Sequence, residues 1–195
     1  DLEEIQNSAS LGAKEATAAG LNWTFAPMVD ISRDARWGRV MEGAGEDPFL
    51  GSLIAEARVK GFQGDNLSDT NTIVACAKHF AGYGFSEAGR DYNTTDFNHY
   101  TLHNTIMPPF KASVDAGVRT FMNSFNTLDE IPATGHKFIQ RDILKEEWGF
   151  DGFIVSDWGS IDQMIPHGFA RDGEHAAELA VIAGSDMDME SSLYV

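Results

Sequence analysis

Short apolar runs and longer amphipathic stretches take turns along this chain of 195 residues. The first stretch, Leu2 to Ala19, is alanine-rich and predicts a helix stopped by Gly20. Alanine has the best helix propensity, and glycine readily takes the left-handed conformation of a helix end. Trp23 to Val29 reads as a strand with Pro27 near its end, where a missing N–H is tolerated. Beyond a loop rich in Arg and Gly, Asp47 and Pro48 supply the N-cap and first residue of a second helix. Leu50, Ile54, Ala57 and Gly61 predict its inward stripe.

The alternation continues. Ile73 to Lys78 predicts a strand, and a long loop then passes Gly82, Gly84 and Gly89. A helix pattern spans Tyr100 to Ala116 and stops at Gly117. Thr120 to Phe125 is the third strand. The next helix, Lys137 to Trp148, faces Ile139, Ile143 and Leu144 inward and is closed by Gly149. Phe153 to Asp157 is a fourth strand, Glu174 to Ala183 a helix ended by Gly184, and Asp186 to Met189 alternates like a fifth strand.

Strands that alternate with helices pair in parallel through right-handed crossovers. A doubly wound sheet and an eight-stranded barrel both fit. Polar side chains end several different strands here: Asp30, Lys78, His79, Asn126 and Asp157. Sites assembled from many strand ends favour the barrel. The expected fold class is therefore α/β, a (β/α)8 TIM-type barrel. A complete barrel takes eight strands and about 250 residues. With five strands legible, residues 1–195 read as a partial catalytic barrel domain.

Composition narrows the function. Thirty acidic against 14 basic side chains give a net charge of -16. Such a surface repels phosphate backbones and anionic membranes, so neither nucleic acid nor membrane is an expected partner. A neutral ligand such as a sugar remains open. The single cysteine, Cys76, lies in an apolar run and reads as a small buried hydrophobe. Neither a Cys/His cluster with ligand spacing nor a phosphate-binding glycine loop occurs, so no metal or cofactor is expected.

Three groups of residues carry possible chemistry. Asp157 sits where the apolar run Ile154-Val155 leaves the core, with Trp158 beside it. A carboxylate there can attack an anomeric carbon while an aromatic face stacks on a sugar; a helix N-cap is the bland alternative. Lys78 and His79 can grip adjacent hydroxyls of one ring. Lys78 could equally form a Schiff base or pair with an acid, and His79 could be a satisfied loop histidine. Arg36 and Arg39 flank Trp37-Gly38. Arg39 can fork onto two hydroxyls or bridge to Glu42 or Glu46, and one of the two arginines is expected to be purely structural.

Taken together, the blocks resemble glycoside hydrolase family 3, the β-glucosidase and β-xylosidase family. They are Thr24-Phe25-Ala26-Pro27-Met28-Val29-Asp30, Asp34-Ala35-Arg36-Trp37-Gly38-Arg39, Gly45-Glu46-Asp47-Pro48, Lys78-His79-Phe80, Pro108-Pro109-Phe110 and Gly152-Phe153-Ile154-Val155-Ser156-Asp157-Trp158. Each is weak alone, but they stand in family order along nearly the whole chain. The set is similar to that of bacterial periplasmic β-glucosidases.

The resemblance implies a barrel followed by a second, α/β sandwich domain that this chain lacks. It implies Asp157 as nucleophile, with Arg39, Lys78 and His79 holding sugar hydroxyls and Trp158 forming part of the pocket wall. Phe125 stands where many members carry Tyr; it lacks the hydroxyl that would support the nucleophile. The resemblance also implies a general acid/base supplied by the absent C-terminal domain and a sugar-binding aspartate upstream of this chain. Lys78-His79-Phe80-Ala81-Gly82-Tyr83-Gly84 is followed by no Asp-His pair, which argues against the N-acetylglucosaminidase branch.

The implied activity is retaining, exo-acting hydrolysis of β-linked gluco-oligosaccharides or aryl glucosides, with glucose the first choice of sugar and xylose the next. A periplasmic or secreted location follows from the likeness alone. Two rivals stand beside it: a Schiff-base barrel lyase using Lys78, and a non-catalytic sugar-binding fragment.

Overall fold

A computed structural model describes residues 1–195. Its elements are, in order, α1 (Leu2–Ala18), α2 (Pro48–Gln63), β1 (Cys76–Phe80), β2 (Thr94–Thr95), α3 (His99–Thr101), α4 (Pro108–Asp115), β3 (Thr120–Asn123), β4 (Thr127–Leu128), β5 (Ile131–Pro132), β6 (Phe153–Val155) and α5 (Gly173–Ala183). Two helical segments with wide, π-type turns, Leu102–Ile106 and Phe138–Glu147, complete the set.

The central ladder runs β1-β3-β6 and is parallel throughout. Isolated parallel bridges extend it on both sides. Trp23 with Val74 and Met28 with Lys78 add the first apolar run, and Val155 with Met187 adds the last. Five ribbons therefore lie side by side in sequence order, with no reversal. A doubly wound sheet reverses its order at a switch point. Unbroken order with intervening helices is the barrel arrangement, as expected for the α/β TIM-type class.

Alternation across each strand separates two layers. Ala77, Phe121 and Ile154 face the helices and join one core with Val59, Phe110, Ile143 and Leu144. Cys76, Met122 and Val155 face the other way and pack together with Trp23 and Met189 as the barrel filling. Burial pushes the Cys76 thiol up to about 12, which makes it an inert hydrophobe, as its sequence context predicts.

Most predicted elements appear with shifted ends, and one stripe is corrected. Asp47 caps α2 by accepting from the Phe49 and Leu50 N–H groups, with Pro48 opening the helix. Leu50, however, is exposed; Gly51, Ala55 and Val59 are the buried positions one residue along, with Ala57 and Gly61. The helix is covered on two sides. Ala55 and Val59 meet the barrel core, while Gly61 meets α1 so closely that a Cβ there would collide with the Gln6 carbonyl oxygen.

The helix expected from Tyr100 to Ala116 is broken. Pro108 and Pro109 lack N–H donors, and the chain before them widens so that Met107 N–H reaches the Leu102 carbonyl. A small sheet, β2-β4-β5, is built from segments on either side of the third ribbon and has no counterpart in the sequence reading. Its β4–β5 turn holds Asp129 and Glu130 at φ 48° and 67°.

Candidate active site

The barrel order brings the predicted strand-end residues to one mouth. Lys78 lies two residues beyond Cys76, and Asp157 two beyond Val155, so both continue the inward-facing rows. Adjacent strand residues normally point to opposite faces, yet His79 also turns inward. The ladder explains it: Lys78 pairs with Met122 and Phe80 with Asn123, leaving His79 as the extra residue of a bulge. The Lys78–His79 and Phe80–Ala81 peptide bonds are both cis.

His79 is the hub of the cluster. Its ring is 1 % exposed, and so is the Asp30 carboxylate beside it. A single oxygen, Asp30 Oδ2, accepts from the His79 backbone N–H at 2.8 Å and contacts ring Nδ1 at 2.9 Å. On the far side, Arg39 Nη1 donates to His79 Nε2 at 3.1 Å. These partners assign the proton to Nδ1 and leave Nε2 as acceptor. Nε2 also lies 3.5 Å from Asp157 Oδ2.

Arg39 grips Glu42 with two nitrogens, at 2.6 and 2.7 Å, and its guanidinium carbon lies 5.6 Å from the Tyr83 ring centre. The hydrogen bond from Arg39 holds the Glu42 carboxyl below its ordinary range. Arg36 instead binds Asp34 at the surface, so it is the structural arginine of the pair. Lys78 makes no ion pair within 4 Å and no side-chain hydrogen bond, which removes the simple salt-bridge alternative. Glu42 and Asp157 both feel its charge.

Asp157 is not a helix cap. Its Oδ1 accepts from the Trp158 N–H at 2.7 Å, and its side chain is 13 % exposed. Burial raises its pKa above the ordinary aspartate value; His79, the Trp158 N–H, Lys78 and Arg39 oppose that rise. The group is thus a desolvated carboxylate held among cationic and donor neighbours, with an open side.

Trp158 is 63 % exposed beside it. Phe125 is buried, packed 5.7 Å from the Tyr83 ring and 4.5 Å from the Tyr92 ring. Tyr83 stacks edge-on to His79 at 5.1 Å, a contact that its place in a Gly-rich loop of the sequence does not signal. Asp30 was visible as a strand-end acid, but its bond to His79 joins residues 49 apart. No three His, Cys, Asp or Glu side chains are arranged to hold a metal ion. No helix is long and apolar enough to cross a membrane.

Comparison with known proteins places this geometry. The model of the glycosyl hydrolase family 3 N-terminal domain matches residues 1–195. The periplasmic β-glucosidase of Salmonella typhimurium is 45% identical over 194 residues, covering 100% of this chain and 25% of the relative. A β-xylosidase of Formosa agariphila is 38% identical over 192 residues, covering 96% of this chain and 27% of its own. The crystal structure of a mutant β-glucosidase from Listeria innocua in complex with laminaribiose superposes with a TM-score of 0.98 at 44% identity, over 100% of this chain and 27% of that one. The chain thus spans about a quarter of the length of these relatives. Its ordered strand-end residues, its parallel barrel order and these matches agree: the chain belongs to glycosyl hydrolase family 3, within that family's N-terminal domain.

Proposed function

We propose that the chain supplies the nucleophile half of a retaining, exo-acting β-glycosidase of the β-glucosidase type. The observation that carries this reading is the convergence of Asp157, His79, Arg39 and Lys78 on one barrel mouth, with the carboxylate desolvated but flanked by cations. Asp157 attacks the anomeric carbon. The glycosidic C–O bond breaks, an acid protonates the departing oxygen, and a glycosyl ester of Asp157 remains. Water then attacks the same carbon, the ester opens, and the β-sugar leaves.

In this reading Arg39, Lys78 and His79 hold the ring hydroxyls, Trp158 walls the pocket, and Phe125 backs it. Asp30 is a positioning residue that fixes the ring of His79. The acid must approach within about 5–5.5 Å of Asp157 in a retaining enzyme. Two carboxylates beside the cluster are committed, Asp30 to His79 and Glu42 to Arg39. We assign the acid to a second domain of the kind the longer relatives have room for. Terminal β-glucosides are the preferred substrates and β-xylosides the next, following the named relatives; laminaribiose bound to the Listeria protein supports a gluco-disaccharide. A periplasmic location follows the Salmonella relative. The lyase alternative fits less well, because carboxylates surround Lys78 where a Schiff-base lysine needs a cationic or apolar setting.

Hydrolysis of 2,4-dinitrophenyl β-D-glucoside, followed by proton NMR, tests this. The leaving group is activated and needs little acid assistance. The reading predicts β-glucose as the first-formed anomer, and α-glucosyl azide when Asp157→Gly is supplied with azide. α-Glucose as first product would overturn it. Cellobiose, which needs the acid, is cleaved poorly or not at all by this chain.

A further inference from the structure

His99 and His103 stand four residues apart, and no other two of the six histidines have that spacing. Residues four apart share one side of a helix. The local backbone keeps that arrangement. Asn98 opens α3 by accepting from the Thr101 N–H at 2.9 Å, and its carbonyl takes the Leu102 N–H at 3.0 Å. The π-type turn then runs from Leu102 to Ile106. Leu102 and Ile106 are buried in the main core, which leaves His99 and His103 exposed on the outer side. The two imidazole rings lie nearly parallel, their planes 18° apart and their centres 6.3 Å apart.

Neither ring is engaged by another polar group. The imidazoles with hydrogen-bond partners are those of His79 and His175. His99 is steadied from the side by the edge-on Phe138 ring, at 5.7 Å. Imidazole nitrogen is the commonest protein ligand for divalent transition metals. An ion held about 2.0–2.1 Å from one nitrogen of each ring sets the ring centres roughly 5 Å apart. Rotation of two exposed side chains closes the remaining gap of roughly 1 Å. Tyr100 follows His99, where a His-Glu-x-x-His zinc hydrolase carries its glutamate, so the pair has no base beside it and its chemistry is binding. No set of three His, Cys, Asp or Glu includes the pair, so water completes the coordination.

We propose that His99 and His103 chelate one divalent transition-metal ion of the nitrogen-preferring class (cobalt, nickel or copper), and that the ion clasps α3 to the π-type turn. The site shares no residue with the Asp157 cluster and does not rest on the glycosidase reading. Mg²⁺ and Ca²⁺, which prefer oxygen ligands, are not held there.

Isothermal titration of the full chain with the chlorides of cobalt, nickel, copper and magnesium tests it. In its tightest class the wild type takes one ion per chain, with affinity rising from cobalt through nickel to copper, and no magnesium. His99→Ala and His103→Ala each lower nickel affinity about a hundredfold, the scale of a lost two-point attachment. His103→Gln, which keeps a polar side chain without the imidazole nitrogen, loses as much, and His175→Ala loses nothing. Nickel also raises the wild-type Tm, and raises it less in the two alanine variants. Both positions are exposed, and circular dichroism checks that each variant is folded. Nickel affinity within about threefold of wild type in either alanine variant overturns the site. So does a wild type that binds nickel no better than magnesium, or an equal loss in His175→Ala.

Discussion

Removing the Asp30 carboxylate tests the hub of the site. In Asp30→Ala, the His79 backbone N–H and ring Nδ1–H both lose the oxygen they share, at 2.8 and 2.9 Å. Both side chains are 1 % exposed, so water does not replace it. Each hydrogen bond to a charged group contributes about 1.5–3 kcal/mol, so losing both costs about 3–6 kcal/mol, offset in part because the variant no longer buries a carboxylate. The expected loss is therefore about 3–5 kcal/mol, or roughly 6–20 °C in Tm at about 2–4 °C per kcal/mol for a chain of this size. Asp30→Asn separates geometry from charge. Its carbonyl can take the place of Oδ2 and keep both bonds, while its amide occupies the site of Oδ1, which has no partner. Neutral bonds have about half the strength of charge-assisted ones, so the expected loss is about 1.5–3 kcal/mol. Urea and thermal unfolding by circular dichroism measure both. A loss under about 1 kcal/mol in Asp30→Ala, or an Asn variant as unstable as the Ala variant, would refute the assignment of Asp30 as the anchor of His79.

Three other perturbations follow from the same coordinates. On the proposed glycosidase reading, Asp157→Asn lowers hydrolysis of the dinitrophenyl glucoside by a factor on the order of 10⁴ or more and yet raises stability at neutral pH, because the folded carboxyl has a raised pKa. The stabilising contribution of the protonated carboxyl is complete below the ordinary value of 3.8 and lost as pH rises through the raised one. The Tm gap between variant and wild type therefore opens with rising pH and closes in acid; a gap independent of pH contradicts this. Gly61→Ala, which would gain about 1 kcal/mol in an exposed helix, instead destabilises by about 1–3 kcal/mol, as its Cβ would lie 2.6 Å from the Ala9 Cβ and nearer still to a backbone oxygen; urea unfolding reads the sign. Arg39→Lys loses the two-pronged grip on Glu42 and the contact to His79, lowering glucose affinity about tenfold in titration while changing stability by less than about 1 kcal/mol.

Much of the barrel was legible because its elements are local. Apolar runs mark the ribbons from Ile73 and Thr120, and Gly20, Gly117, Gly149 and Gly184 all take positive φ at the predicted helix ends. What misled was any feature with two neighbours. The α2 stripe blends a face toward the barrel with one toward α1, so periodicity alone placed Leu50 inside. The two-residue strands of the small sheet carry no periodicity to read. In the site, Asp157, Lys78, His79 and Arg39 announced themselves as strand-end or loop residues, and the fold brings them together. The bulge that turns His79 inward, the Asp30 anchor and the Tyr83–Phe125–Tyr92 ring path join distant residues, so no window of sequence contains them.

The central claim is that Asp157 forms the covalent bond to the sugar. Intact mass spectrometry after incubation with 2,4-dinitrophenyl 2-deoxy-2-fluoro-β-D-glucoside tests it most directly, with Asp157→Asn as control and circular dichroism confirming that the chain is folded. The account predicts one fluoroglucosyl adduct per chain, mapped by peptide sequencing to Asp157 and missing in the control. An adduct on another residue, or none on a folded chain that binds glucose, would contradict it.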